Sequence, residues 1–82
     1  MIASAQISVY PLRQTHLGPT VDIVRKTLEE HGLTATVGSM STIVVGEDTV
    51  IFGALGEAFA QAAESGEVVM TVTISNACPI RE

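Results

Sequence analysis

The side chains able to do bond chemistry are few and scattered. His16 and His31 are the only imidazoles, and Cys78 is the only thiol. His31 follows Glu29-Glu30 at the end of a helical pattern, where a cation suits the helix dipole and a structural role is expected. His16 has no His or Cys at metal-ligand spacing, so a surface loop position or a ligand contact are its two readings. Cys78 lies beside Pro79 near the end of the sequence. It has no intrachain disulfide partner, cannot build a thiolate zinc site, and makes a poor Cys-His nucleophile. Glu29-Glu30 and Glu47-Asp48 read as exposed charges at helix ends rather than as an acid–base pair. Gly18-Pro19 at a helix start is no phosphate loop. The candidates that strand order will bring together are hydroxyls, a thioether and an aromatic ring: Ser8, Tyr10, Ser39, Met40, Ser41 and Thr42. With no base, nucleophile or metal-ligand constellation beside them, a non-enzyme with no cofactor and no metal is expected.

Those residues have to be positioned by secondary structure. Residues 2–10 alternate, with Ala5, Ile7 and Val9 on one side and Gln6, Ser8 and Tyr10 on the other, which is the period of a half-buried strand. Pro11 ends it, because proline cannot donate to the ladder. After a loop over 11–18, Pro19 suits a first helical turn, and Val21, Val24 and Leu28 recur at helical spacing over 19–31. Gly32 is the expected residue just past the helix end. Residues 33–38 read as a second strand with Leu33, Ala35 and Val37 on one face. Residues 38–41 form a turn. Residues 42–46 read as a third strand, with Thr42 and Val44 opposed to Ile43 and Val45. Glu47-Asp48-Thr49 offers an N-cap and first-turn acid for a second helix over 49–64, whose stripe is Ile51, Leu55, Ala58 and Ala62, flanked by Ala54 and Phe59. Gly53 and Gly56 weaken that helix unless a neighbour packs closely there. Gly66 ends it. Residues 67–75 form the last strand, with Val68, Met70, Val72 and Ile74 on one face.

The order β-α-β-β-α-β, with two helices that must bury their stripes on one sheet face, predicts one α+β domain over residues 1–82. Right-handed crossovers lead to a ferredoxin-like βαββαβ sandwich, a four-stranded antiparallel sheet in order 4-1-3-2. The end of strand 1 then lies beside the starts of strands 3 and 4, at the pole of the strand 2–3 turn. That gathers Ser8, Tyr10, Pro11, Ser39, Met40, Ser41 and Thr42 beneath the 11–18 loop. Mostly apolar surroundings with a few directional polar groups are the make-up of a small-molecule pocket; a turn packed against a tyrosine is the alternative. The helix-free face is expected to show Gln6, Ser8, Tyr10, Thr42, Val44, Val69, Thr71 and Thr73, none of them charged. A water-facing sheet normally carries Lys and Glu. Burial against another subunit is the expectation, and a solvated threonine-rich face is the alternative.

Composition bounds the partners. Charged residues are 16 % of the chain and hydrophobic ones 46 %, against roughly 25 % charged in average domains. A chain this short buries only about 60–65 % of its unfolded surface, and a partner subunit often makes up the shortfall. The net charge of −5, with four Lys and Arg in all, excludes a phosphate-neutralising nucleic-acid surface. Met1-Ile2-Ala3-Ser4 lacks a signal-peptide pattern, and no apolar run approaches a membrane span of ~20 residues. A cytoplasmic location is expected.

The stretch AQISVYPL, residues 5–12, resembles the opening motif of the thiamine-binding protein family of ferredoxin-like domains. VGSMSTIVVG, residues 37–46, looks like that family's second motif, and VVMTVTI, residues 68–74, is similar to its last strand. The resemblance implies binding of thiamine or its hydroxymethylpyrimidine part, a small cationic or pyrimidine ligand, without catalysis. It also implies homodimers or homotetramers formed through the sheets. By motif position it implies Ser8, Tyr10, Met40 and Thr42 as ligand-binding residues, with Ser39 and Ser41 standing where the family has proline and glycine. Val45 stands where the family commonly has glutamate, and Glu47 could substitute for it only in part.

Overall fold

The computed structural model describes residues 1–13, 16 and 18–77. Its elements are β1 (Ile2–Pro11), α1 (Gly18–Glu30), β2 (Thr34–Val37), β3 (Thr42–Glu47), α2 (Asp48–Ala62), a 3-10 turn (Ala63–Ser65) and β4 (Val68–Ser75). The four strands form one antiparallel sheet in the order β2-β3-β1-β4, which is the expected 4-1-3-2 read from the other edge. Cys78 and the residues after it lie outside the described residues.

Local chemistry sets the element ends. Past α1, Gly32 has φ 84°, a left-handed conformation glycine adopts without strain. Its N–H donates to the Glu29 carbonyl at 3.0 Å, and the Leu33 N–H donates to the Leu28 carbonyl at 3.2 Å. Those two bonds form a Schellman cap, with Leu33 folded back onto the helix it leaves. Both Leu28 and Leu33 are buried. At the other junction β3 runs into α2 with no intervening loop. Glu47 occupies the N-cap position but makes no capping hydrogen bond. Its carboxylate instead accepts from the Met1 amino group at 2.8 Å, which raises that amine's pKa above its ordinary value.

One sheet face is closed by the helices. Ala3, Ala5, Ile7 and Val9 of β1 meet Val24 and Leu28 of α1, Val44 of β3, and Ile51, Ala54, Leu55, Ala58 and Ala62 of α2. The strand-alternation and helix-stripe expectations hold here. Alanines on both β1 and α2 let that helix sit close to the sheet. No aromatic side chain enters this core: Tyr10, Phe52 and Phe59 all lie on the surface.

The phase of β3 differs from the expected one. Thr42 pairs with Ile7 and Val44 with Ala5, so both point into the helix-covered side, where they are buried. Ile43 and Val45 occupy the open face instead, opposite Gln6 and Ser4. A run of four β-branched residues offers no polar contrast from which a phase can be read. The open face is thus more apolar than expected, with Ile43, Val45 and Val69 exposed among Gln6, Ser8, Thr34, Thr36, Thr71 and Thr73.

Gly46, paired with Ala3, is tightly enclosed. A Cβ built there would stand 2.6 Å from Leu33 Cδ2. Gly46→Ala is expected to lower stability by about 1–2 kcal/mol through overpacking. The urea midpoint would fall with its slope unchanged.

Candidate functional site

The pairing ladder leaves a gap at one pole of the sheet. The β1–β3 register ends at Ile7↔Thr42, whereas the β1–β4 register continues to Pro11↔Val68. The last residues of β1 therefore have a strand neighbour on the β4 side and none on the β3 side. Into that gap leans the β2–β3 turn, closed by a 2.8 Å hydrogen bond from the Gly38 N–H to the Ser41 carbonyl.

The turn is tied to β1 by side chains from the open face. Ser8 Oγ donates to the Met40 carbonyl at 3.1 Å, and Gln6 Nε2 donates to Ser41 Oγ at 3.0 Å. Between turn and strand lies a cleft of about 190 Å3. Ser8, Tyr10, Ser39, Met40, Ser41 and Thr42 all line it, so the structure brings these six candidates together, whereas Pro11, expected in the same neighbourhood, is not among the lining residues. The structure adds Ile7, Val9, Val21, Val37 and Gly38. Alternation marked Ile7 and Val9 as core and gave no hint that the overhang of β1 would open their edge to a cavity. Val21, in the first turn of α1, was legible only as part of a helical stripe.

Each lining group has a distinct capability. Tyr10 is 48 % exposed and offers a ring face for stacking or a cation–π contact. Met40 is 86 % exposed at the turn tip, with a thioether free to close over a ring. Thr42 is the converse. Its side chain is buried and lines the cleft floor, and among the described residues nothing hydrogen-bonds its hydroxyl. That hydroxyl can donate to or accept from a bound molecule. The Ser8 hydroxyl is partly committed to the turn.

The two positions that bear on charge both lie away from the cleft. Val45 lies on the open face three residues along β3 from Thr42, about 10 Å at strand rise, and does not line the cleft. Glu47 is farther still, at the opposite end of β3, and its carboxylate holds the Met1 amine. It cannot stand in for a glutamate near the cleft. Among the described residues the lining carries no charged side chain.

The loop over 11–18 was expected above the cluster. Its beginning is drawn toward β4: the Leu12 N–H donates to the Glu67 carbonyl at 2.9 Å, and the Arg13 guanidinium pairs with the Glu67 carboxylate. His16 is exposed, and Gln14, Thr15 and Leu17 lie outside the described residues. His31 plays the structural part expected, its Nε2 lying 2.8 Å from Glu57 Oε1 and joining the end of α1 to α2. Among the described residues no group of three or more His, Cys, Asp or Glu is arranged to hold a metal. No described helix is long and apolar enough to cross a membrane.

The sequence profile of the family described as thiamine-binding protein matches residues 5–77, a span that holds both cleft-forming segments. The chain belongs to the thiamine-binding protein family. Solved structures agree on the fold. A hypothetical protein of Methanocaldococcus jannascii superposes with a TM-score of 0.87 at 20 % identity, over 98 % of this chain and 84 % of its own. A Streptococcus pneumoniae protein gives 0.83 at 28 % identity, over 92 % and 86 %. A Thermotoga maritima protein, provisionally described as acting in thiamine biosynthesis or salvage, gives 0.80 at 21 % identity, over 90 % and 82 %. Among curated proteins no sequence matches significantly. Family membership places the chain in a thiamine-related role.

Proposed function

We propose that the 82 residues act as one non-catalytic module that binds thiamine or its hydroxymethylpyrimidine moiety in this cleft, within a homodimer or homotetramer whose open sheet faces cover one another. The observation that carries the reading is that the family match spans the two segments whose side chains meet at the cleft. The chemistry supports it. An aminopyrimidine needs hydrogen-bond partners for its ring nitrogens and a surface to stack on; Thr42 and Ser8 supply the first, Tyr10 and Met40 the second. Ser39 and Ser41 add hydroxyls at the rim.

Size refines the proposal. About 190 Å3 is smaller than the roughly 300–1,000 Å3 of pockets for drug-sized molecules. One protomer holds a single ring, and the rest of a thiamine would rest on the surface beside it. The lack of a carboxylate in the lining favours the pyrimidine over the thiazolium as the buried part. With no carboxylate among the described lining residues to meet a cationic ligand, modest affinity is expected.

Titration calorimetry with thiamine and with hydroxymethylpyrimidine tests the reading: heat of binding and a thermal upshift are expected. Neither at millimolar ligand would defeat it. Tyr10→Ala should weaken binding about tenfold, the scale of one lost ring contact, and leave the oligomer intact.

A second reading is favoured by the apolar open face: an assembly module with no small-molecule ligand. Under it Tyr10→Ala dissociates the oligomer, and neither compound produces heat.

A further inference from the structure

The helix α2 has two apolar sides. One, through Ile51, Ala54, Leu55, Ala58 and Ala62, is buried on the sheet. The other runs through Phe52, Gly53, Gly56, Phe59 and Ala60 and is exposed. Phe52 is 58 % and Phe59 45 % exposed. Among the described residues nothing lies within 4 Å of a Cβ built on Gly53 or Gly56, so none of them supplies the close neighbour that mid-helix glycines call for. Helices apolar all round are normally buried all round. Both phenylalanines of the chain are spent on this outer side while the core does without aromatics, and aromatic residues concentrate at protein interfaces.

The spacing identifies the partner. An antiparallel copy of α2 related by a two-fold axis through Gly56 sets Phe59 opposite Gly53, Phe52 opposite Ala60, and Gly56 opposite itself. Every large side chain then meets a small one, in both directions at once, as an isologous contact requires. The stripe carries no charge, so two copies of a chain with net charge −5 meet there without repulsion at the contact. We infer that the outer face of α2 is a self-association surface, and that its occupant is α2 of a second copy of this chain. The area sets the strength. Exposed phenylalanine surface amounts to roughly 200 Å2 per protomer, and the small residues add less. The total falls short of the roughly 1,200 Å2 of a standard stable interface. The contact is therefore weak, forming at high concentration or after another contact has brought copies together. It is independent of what the cleft binds.

Gly56→Ala tests this without endangering the fold, since alanine is the better helix former and has open space in the protomer. Sedimentation of the wild-type chain up to about 1 mM should show a concentration-dependent association step. The variant should weaken that step at least tenfold while its dissociated form melts higher than wild type. In a Cys78→Ser background, Gly56→Cys should cross-link to itself under mild oxidation and Lys26→Cys, on α1, should not. No association step in the wild type, or one unchanged by Gly56→Ala, overturns the inference. So does cross-linking no better at position 56 than at 26.

Discussion

Under the proposed sheet-to-sheet assembly, Ile43→Lys is expected to yield 8.6 kDa protomers that remain folded. Ile43 sits on the open face between Gln6 of β1 and Thr36 of β2, and is 46 % exposed in the protomer. A lysine there meets water in the free chain and costs its fold little. In a sheet-to-sheet contact the same ammonium would be buried without a partner in both subunits. Leaving one charge uncompensated in an interior costs about 3–5 kcal/mol, which weakens association by roughly two to four orders of magnitude. Light scattering gives the mass and far-ultraviolet circular dichroism the fold. A variant that keeps the wild-type mass would show that the open sheet face is not where subunits meet.

Ile51→Ala is expected to act on the fold itself. Ile51 is 0 % exposed in the first turns of α2, packed among the buried residues of the sheet and α1. Its surroundings are already rich in alanine, so few large neighbours can move in to fill the space. A buried large-to-small change of this kind costs about 2–5 kcal/mol. In a domain of this size each kcal/mol lowers the melting temperature by roughly 4–8 °C. A drop of more than about 10 °C is therefore expected in a thermal melt. A smaller change would mean that α2 is held chiefly by contacts outside this core.

How much was legible follows from where side-chain contrast exists. β1 alternates polar and apolar residues, so its two faces were read correctly, and Ser8 and Tyr10 with them. Gly32 announced the end of α1 because only a left-handed position needs glycine there. In β3 contrast fails, and the sequence pattern puts Thr42 on the wrong face; it still reaches the cleft because it stands where the ladder stops, a property of register rather than of residue type. The hydrogen bonds from Ser8 and Gln6 to the turn span more than thirty residues of sequence and depend on the sheet order. That order was inferable from topology, but the bonds were not. Glu47 shows the opposite limit: its charge was evident, while its commitment to the amine at Met1 is a matter of which strand end it occupies.

The absence of aromatic rings from the interior has an optical consequence. The chain has one tyrosine and no tryptophan, and that tyrosine borders the cleft. Its ultraviolet emission and its near-ultraviolet dichroism thus monitor the mouth of the cavity rather than the state of the core. An occupant stacking on the phenol would alter both signals while the backbone spectrum stays still. Unfolding, conversely, would have to be followed through the amide bands, so the two events can be watched separately in one unlabelled sample.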